Sequence, residues 1–504
     1  MIEKNPRTGR TYPMSRRGFV RSIVVLAGST TVATLLQACG GTATPTPAAQ
    51  SAPAPTSAPA AQPTAAPAAQ PTAAPAAPTV AATTAPATAT PAAQAASQSA
   101  SQVKIRATVW VDKNELAAND QMTKLYQQTH PNVALDWINI TGGGPYGRDK
   151  LQTMIAGGDA PDMMMLNTGQ FEGLAARNAL LALDDLAKEE KTDLSIFWPS
   201  AVEGCKYQGK LYGMPRDISN VVLYYNKDLF DKAKVAHPTD TWTWDDFLAA
   251  AKKLTISKSG GTRVDQWGFG LLNFVWAWAG FVWGNGGEIL SPDHKQSHFE
   301  DAPTVEALKF YFDLQTADKV SPPPGSLPQQ ATALDWFSNQ AVAMGLFGPW
   351  YRPVLAEMKQ PFHWDVAYPP KAPKTGKRGS VVYTDMWGIY PSSKVAKDTF
   401  DFMTFFSGPA GQQKWVDLLG ARSITPVQEV AKTAKWLNYG GSTGQIILDS
   451  LSFSQPPPVN FGNADQVENT WNDEFGLVIA GQENVQQAVK NIDQKIDPIL
   501  AKGP

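Results

Sequence analysis

Val103-Lys104-Ile105-Arg106-Ala107-Thr108-Val109-Trp110 alternates apolar and polar side chains, the two-residue period of a half-buried strand. The period then changes to a helical one from about Glu115 to Thr129, stopped by His130-Pro131. Val133 to Ile138 reads as a second strand, and Gly142-Gly143-Gly144-Pro145 as a loop. A helix from about Gly147 to Ala156 ends at Gly157-Gly158, and Pro161-Asp162-Met163-Met164-Met165-Leu166-Asn167 supplies a buried strand. This β-α-β-α-β order predicts an α/β fold with a parallel sheet covered by helices on both faces.

Working outward toward the C-terminus, the pattern recurs. Val221 to Tyr225 is a strand, and Asn226-Lys227-Asp228 turns out of it. Trp244-Asp245-Asp246-Phe247 opens a helix to about Leu254, with Thr243 as its N-cap. Ala341–Gly345, Val366–Tyr368 and Val381–Tyr383 are short strands, and Lys397 to Phe406 is helical. The chain after Thr425 is mostly helical and ends with Val485 to Leu500. Of the 504 residues, the ordered part begins near Val103 and leaves about 400, more than one core usually holds, so two lobes are expected.

Working outward toward the N-terminus, residues 40–102 form a tether built almost wholly of Ala, Pro, Thr, Gln and Ser. With no large side chains to bury, it is expected to stay unfolded. Before it, Ser15-Arg16-Arg17-Gly18-Phe19-Val20-Arg21 resembles the twin-arginine export motif, and a modestly apolar stretch runs from Ile23 to Ala38. Leu36-Gln37-Ala38-Cys39-Gly40 resembles a bacterial lipobox, with Gln37 where a small residue is usual. Residues 1–39 are therefore read as a lipoprotein signal peptide, Cys39 as the lipidated residue, and the mature protein as extracytoplasmic and held at the membrane by its lipid.

Lys and Arg total 43 against 45 Asp and Glu, for a net charge of −2. That balance offers no field for nucleic acid, and no nucleic-acid partner is expected. Apart from Cys39 the one cysteine is Cys205, with no His beside it, so it reads as a packed thiol. The 16 Trp residues are many, and flat indole rings suit the C–H faces of sugars.

Gly209-Lys210-Leu211-Tyr212-Gly213-Met214-Pro215 leads into Val222-Leu223-Tyr224-Tyr225-Asn226-Lys227-Asp228-Leu229-Phe230. Thr241-Trp242-Thr243-Trp244-Asp245-Asp246-Phe247 follows, then Gly284-Asn285-Gly286-Gly287, Phe337-Ser338-Asn339-Gln340-Ala341-Val342-Ala343-Met344 and Gly348-Pro349-Trp350. In this order they resemble the family 1 extracellular solute-binding proteins, which include maltose- and glycerol-3-phosphate-binding proteins. The resemblance implies a two-lobed type II periplasmic-binding-protein fold with discontinuous lobes, a hinge and a ligand cleft. On that pattern one lobe is 103–220 plus 382–425 and the other 221–381 plus 426–500. It also implies a carbohydrate ligand, an ABC transporter permease as partner, a monomer, and no cofactor.

Ligands in open α/β sheets sit at strand C-termini and the loops beyond them. Trp110 ends the first strand, and Asn167, Thr168 and Gln170 end or follow the third. Asp217, Ser219 and Asn220 lie at the first lobe crossing, Asp385 and Trp387 at the second, and Arg422 at the third. Trp350 resembles the position where relatives stack an aromatic ring on the sugar. Trp276 and Trp278 are both candidates, although two residues apart they cannot share a helical face. Carboxylates, amides and guanidinium groups of this kind recognise hydroxyl edges directionally.

The sequence leaves two rival readings. The same fold and motifs serve glycerol-3-phosphate-like esters, for which Arg422 would count. A carbohydrate-active enzyme would need two carboxyls about 5–10 Å apart across a cleft, and the adjacent pairs Asp184-Asp185, Glu189-Glu190 and Asp245-Asp246 cannot face one substrate. His294 and His298 lie in a polar loop and read as surface residues, so no metal site is expected.

Overall fold

The structure is a computed structural model. It describes residues 2–4, 11–13, 102–142, 145–257, 264–326, 333–358, 361–458 and 463–502. Arg16, Arg17, Cys39 and residues 40–101 of the tether lie outside the described residues. Ile2–Lys4 and Thr11–Pro13 pair antiparallel. Everything below lies in a separate compact unit, residues 94–504.

The chain opens with β1 (Val103–Val109), α1 (Lys113–Tyr126), β2 (Val133–Asn139), α2 (Arg148–Ala156), β3 (Met163–Asn167) and α3 (Thr168–Ala176). After β4 (Gly213–Asn220) come β5 (Val222–Asn226), α4 (Trp244–Leu254), β6 (Trp267–Gly270), α5 (Val275–Gly284), α6 (Ala302–Thr316), β7 (Val342–Phe347) and β8 (Trp364–Ala367). The rest includes β9 (Ser380–Ile389), α7 (Ala396–Ser407), α8 (Pro409–Leu419), β10 (Ser454–Gln455), α9 (Ala464–Ile479) and α10 (Val485–Leu500).

These strands make two sheets. The larger has the order β10-β9-β3-β1-β2, with β4 also paired to β9; the smaller has the order β6-β7-β5-β8. In the larger, β1 runs parallel to β2 and β3, and β9 runs antiparallel to β3 and β4. The C-terminal ends of β1, β3 and β4 therefore come to the same edge as the first half of β9. The first helix stops at Tyr126, short of Thr129, because the chain leaves it through tighter turns in which Gln128 N donates to Leu125 O and Thr129 N to Tyr126 O.

β4 is a strand where the sequence reads only as a connector. Pro215 obscures it, but a β-bulge accommodates the proline. Asp217 pairs with Asp385 and Pro215 with Met386, leaving Arg216 as the extra residue. At Val221 the chain passes directly from the larger sheet to the smaller. Ser380, at the start of β9, grips that passage: its Oγ accepts from Val221 N at 3.1 Å and donates to Val221 O at 2.6 Å.

Two buried apolar clusters hold these layers. One gathers Ile105, Met122, Leu166, Trp387 and Phe402 around the larger sheet and extends to Tyr224 and Trp364 of the smaller. The other gathers Leu223, Phe230, Trp278, Phe312, Trp471 and Ile492. Local signals agree with the packing at α4, where Thr243 and Asp246 form a reciprocal capping box. α5 lies against β9 with little room between: a Cβ on Gly280 would stand 2.6 Å from the Gly379 carbonyl oxygen.

Candidate functional site

At the shared strand edge, Asp385 of β9 stands opposite Asn167 of β3 on one side and Asp217 of β4 on the other. Three polar side chains are thus aligned across three adjacent strands. They form the floor of a cavity of about 310 Å³, within the range of about 300–1,000 Å³ usual for small-molecule sites.

Of the expected site residues, the structure brings Trp110, Asn167, Asp217, Trp276, Trp350, Asp385 and Arg422 to this cavity, together with Ser219. Trp110 follows β1 of the larger sheet and Trp350 follows β7 of the smaller, and Trp276 meets Trp350 edge to face at 6.0 Å. Gly348 makes the Trp350 geometry feasible, since a Cβ there would fall 1.9 Å from the indole.

The other five expected residues are placed elsewhere. Trp278 is fully buried on the opposite face of α5 from Trp276, edge-on to Trp471 at 5.9 Å. Trp387 shares the strand face of Asp385 but lies two residues deeper, where Phe406 and the Arg216 guanidinium cover it. Asn220 is fully buried and donates from Nδ2 to Ile447 O at 2.8 Å. Thr168 Oγ1 accepts from Thr384 N and donates to Thr384 O, fastening α3 to β9. Gln170 accepts from Asn167 N at 3.4 Å and donates to Tyr146 O at 3.1 Å, so it shapes the site from behind.

Sequence reasoning missed Glu115, Tyr146, Arg216 and Tyr383, which also line the cavity. Glu115 was discoverable, because the Asp112 N-cap at the first strand's exit puts the first turn of α1 beside the site. Tyr383 was too, as it precedes Asp385 by one strand period. Tyr146 depends on a left-handed backbone (φ 52°) followed by Gly147 (φ 68°), a strained state for a bulky residue. Its ring meets Trp110 edge to face at 5.0 Å.

The charges form one network. Arg216 donates to Glu115 and to Asp217, and its guanidinium stacks over Trp387 and Trp415 at 5.4 and 4.9 Å. Arg422 donates to Asp112 at 3.0 Å and stands 3.4 Å from Glu115. Burial opposes the charge on Arg216, but the surrounding carboxylates outweigh it and raise its pKa. Burial, and then the neighbouring Asp217, push Asp385 well above the usual carboxylate range. Asp217 is raised as well, by burial, against the pull of Arg216. The two carboxyls stand opposite each other on neighbouring strands, so the charge on one opposes ionisation of the other. Burial pushes the Tyr146 hydroxyl up to about 12, with Glu468 and Asp385 adding to it. Cys205 is fully buried, and its thiol is pushed up by that burial.

The profile of the family described as bacterial extracellular solute-binding protein matches residues 111–413. The chain belongs to that family. This solute-binding protein is 24% identical over 360 residues to the mannitol-binding protein of Pseudomonas aeruginosa, covering 69% of this chain and 78% of that one. It is 30% identical over 128 residues, 25% of this chain and 28% of the other, to a maltooligosaccharide ABC transporter solute-binding lipoprotein of Streptococcus pneumoniae. Among solved structures it is similar to an ABC substrate-binding protein from Listeria monocytogenes in complex with cycloalternan. There the TM-score is 0.71 at 29% identity, covering 79% of this chain and 99% of that one. The fold is the two-lobed type II periplasmic-binding-protein fold, and the family works outside the cytoplasm.

Proposed function

We propose that this solute-binding protein captures a carbohydrate in the cleft between its lobes and delivers it unaltered to an ABC importer permease. The observation that carries the reading is the cavity's construction. Trp110, Trp276 and Trp350 supply apolar walls, and Asn167, Asp385 and Asp217 supply a line of hydrogen-bonding groups at its floor. The proteins it resembles are named for mannitol and maltooligosaccharide or hold cycloalternan, all rich in hydroxyls.

A sugar phosphate is the weaker reading. Arg216 and Arg422, the cations at the cavity, are already engaged by Glu115, Asp217 and Asp112. An anion would have to compete with carboxylates for them. A glycosidase is weaker too, because Asp217 and Asp385 sit directly opposite each other on adjacent strands instead of being set apart across a substrate.

The lobes are proposed to comprise 103–220 with 382–425 and 221–381 with 426–500, closing around the ligand as a monomer. The twin-arginine motif at Arg16-Arg17 is proposed to direct export of the folded chain, and lipid on Cys39 to retain it at the membrane. Titration calorimetry across mono- and oligosaccharides tests the binding reading. Trp350→Ala is expected to weaken the best sugar at least tenfold with the fold intact. Binding of glycerol phosphate in preference to every neutral or amino sugar would overturn it.

A further inference from the structure

We infer that the cavity selects a carbohydrate bearing a basic nitrogen, its ammonium seated against Asp385, Asp217 and Asn167. This rests on the carbohydrate reading and narrows it to amino sugars. Three observations lead there.

The first is the charge inventory around Asp385. Glu115 of α1, Arg216 and Asp217 of β4, Asp385 and Tyr383 of β9, Tyr146 ahead of α2, and Arg422 all face the cavity. Arg216 is taken by Glu115 and Asp217, and Arg422 by Asp112 and Glu115. Three carboxyls thus share two guanidinium groups, and a fourth, Asp385, has no cation bonded to it among the described residues. Across the strand pair it faces Asp217, and burial together with that neighbour raises its pKa. An ammonium seated there would favour the ionised carboxyl, and a carboxyl that ionises on binding releases its proton to solvent.

The second is geometric. An ammonium has three N–H donors and no acceptor, whereas a hydroxyl has one donor. The floor offers acceptors on three adjacent strands in register: Asn167, Asp385 and Asp217. Asn167 is 2% exposed and N-caps α3, its side chain facing the Gln170 backbone N–H in a capping box. An amide oxygen has two lone pairs, so it can still accept from a ligand at the cavity it lines.

The third is the character of the walls. Trp110, Trp276 and Trp350 present indole rings, which stabilise a nearby cation as well as a sugar face.

The test is titration calorimetry on the folded protein. Glucosamine, galactosamine, mannosamine and chitosan oligosaccharides are compared with their parent sugars and their N-acetyl forms, with spermidine as a control for a cation without a ring. At least one amine is expected to bind tenfold or more tightly than both its parent and its acetylated form. Repeating it in two buffers of different ionisation heat should show proton release. Asp385→Asn keeps the shape and is expected to bring amine and parent sugar within about threefold of each other. A parent sugar that binds as tightly as its amine, or the absence of released protons, overturns the inference and leaves the carbohydrate reading standing. Spermidine binding with no response to any sugar overturns both.

Discussion

Replacing Arg216 by Met isolates the electrostatic role of one side chain. Its side chain is 2% exposed and serves Glu115 and Asp217, which are 8% and 6% exposed. Met retains a hydrocarbon stem over Trp387 and Trp415, so most of the packing survives. What is lost is the cation that neutralises two buried carboxylates. Breaking a buried ion pair from one side typically costs about 3–5 kcal/mol. Arg422, 3.4 Å from Glu115, offsets part of the charge left there, so the expected loss is at the lower end, about 3–4 kcal/mol. The pH dependence has a definite sign. Without Arg216 the carboxyls of Asp217 and Asp385, already raised by burial, bind protons still more readily in the folded state than in the unfolded one. Protonation then removes the orphaned charge, so the loss is largest near neutrality and shrinks as pH falls toward the ordinary carboxylate value of about 4. Urea unfolding followed by Trp fluorescence at about pH 7.5 and about pH 5 measures both quantities. A loss under about 1 kcal/mol, or the same loss at both pH values, would refute the buried-network account.

Trp278→Ala is expected to cost about 3–5 kcal/mol of stability while leaving the ligand affinity of folded protein unchanged, which unfolding and calorimetry read separately. Gly348→Ala should push the Trp350 indole from its seat and weaken binding about tenfold, or about 1.4 kcal/mol, with little change in far-UV circular dichroism. For Asp385→Asn without ligand, the raised folded pKa means that wild-type Asp385 supports the fold fully below the ordinary value of 3.8. That support is lost as pH rises through the folded pKa. The Asn variant should therefore gain stability relative to wild type as pH increases, and a relative stability flat across that window would contradict the shift.

Much of the architecture was legible because local rules and packing agree. The alternation in Val103–Trp110, the Thr243 cap and the C-terminal helix Val485–Leu500 all match the structure. Site residues at strand exits were legible for the same reason: Trp110, Asn167 and Asp385 need only a strand end and a direction. The misses have physical causes. A bulge is invisible to a two-residue period, so Arg216 reads from the sequence as a candidate partner for Asp217 but not as a residue of the cavity. Depth along a strand is also invisible, so Trp387 was expected on the cavity side of Arg216 instead of beneath it. Tyr146 reaches the site through a left-handed turn that its side chain disfavours, stabilised in part by Gln170 gripping its carbonyl. Asn220 and Thr168 carry ligand-type chemistry but spend it on Ile447 and Thr384.

The grip of Ser380 on Val221 has a mechanical consequence. Two strands that leave one sheet for the other at separate levels could flex independently, and the halves would then slide as well as swing. Here a single hydroxyl ties the two passages together at one height. Sliding would have to break both of its bonds at once, whereas rotation about that point breaks neither. On the proposed two-lobe reading, any opening is therefore expected to be a swing about this point, as covers turn on a spine.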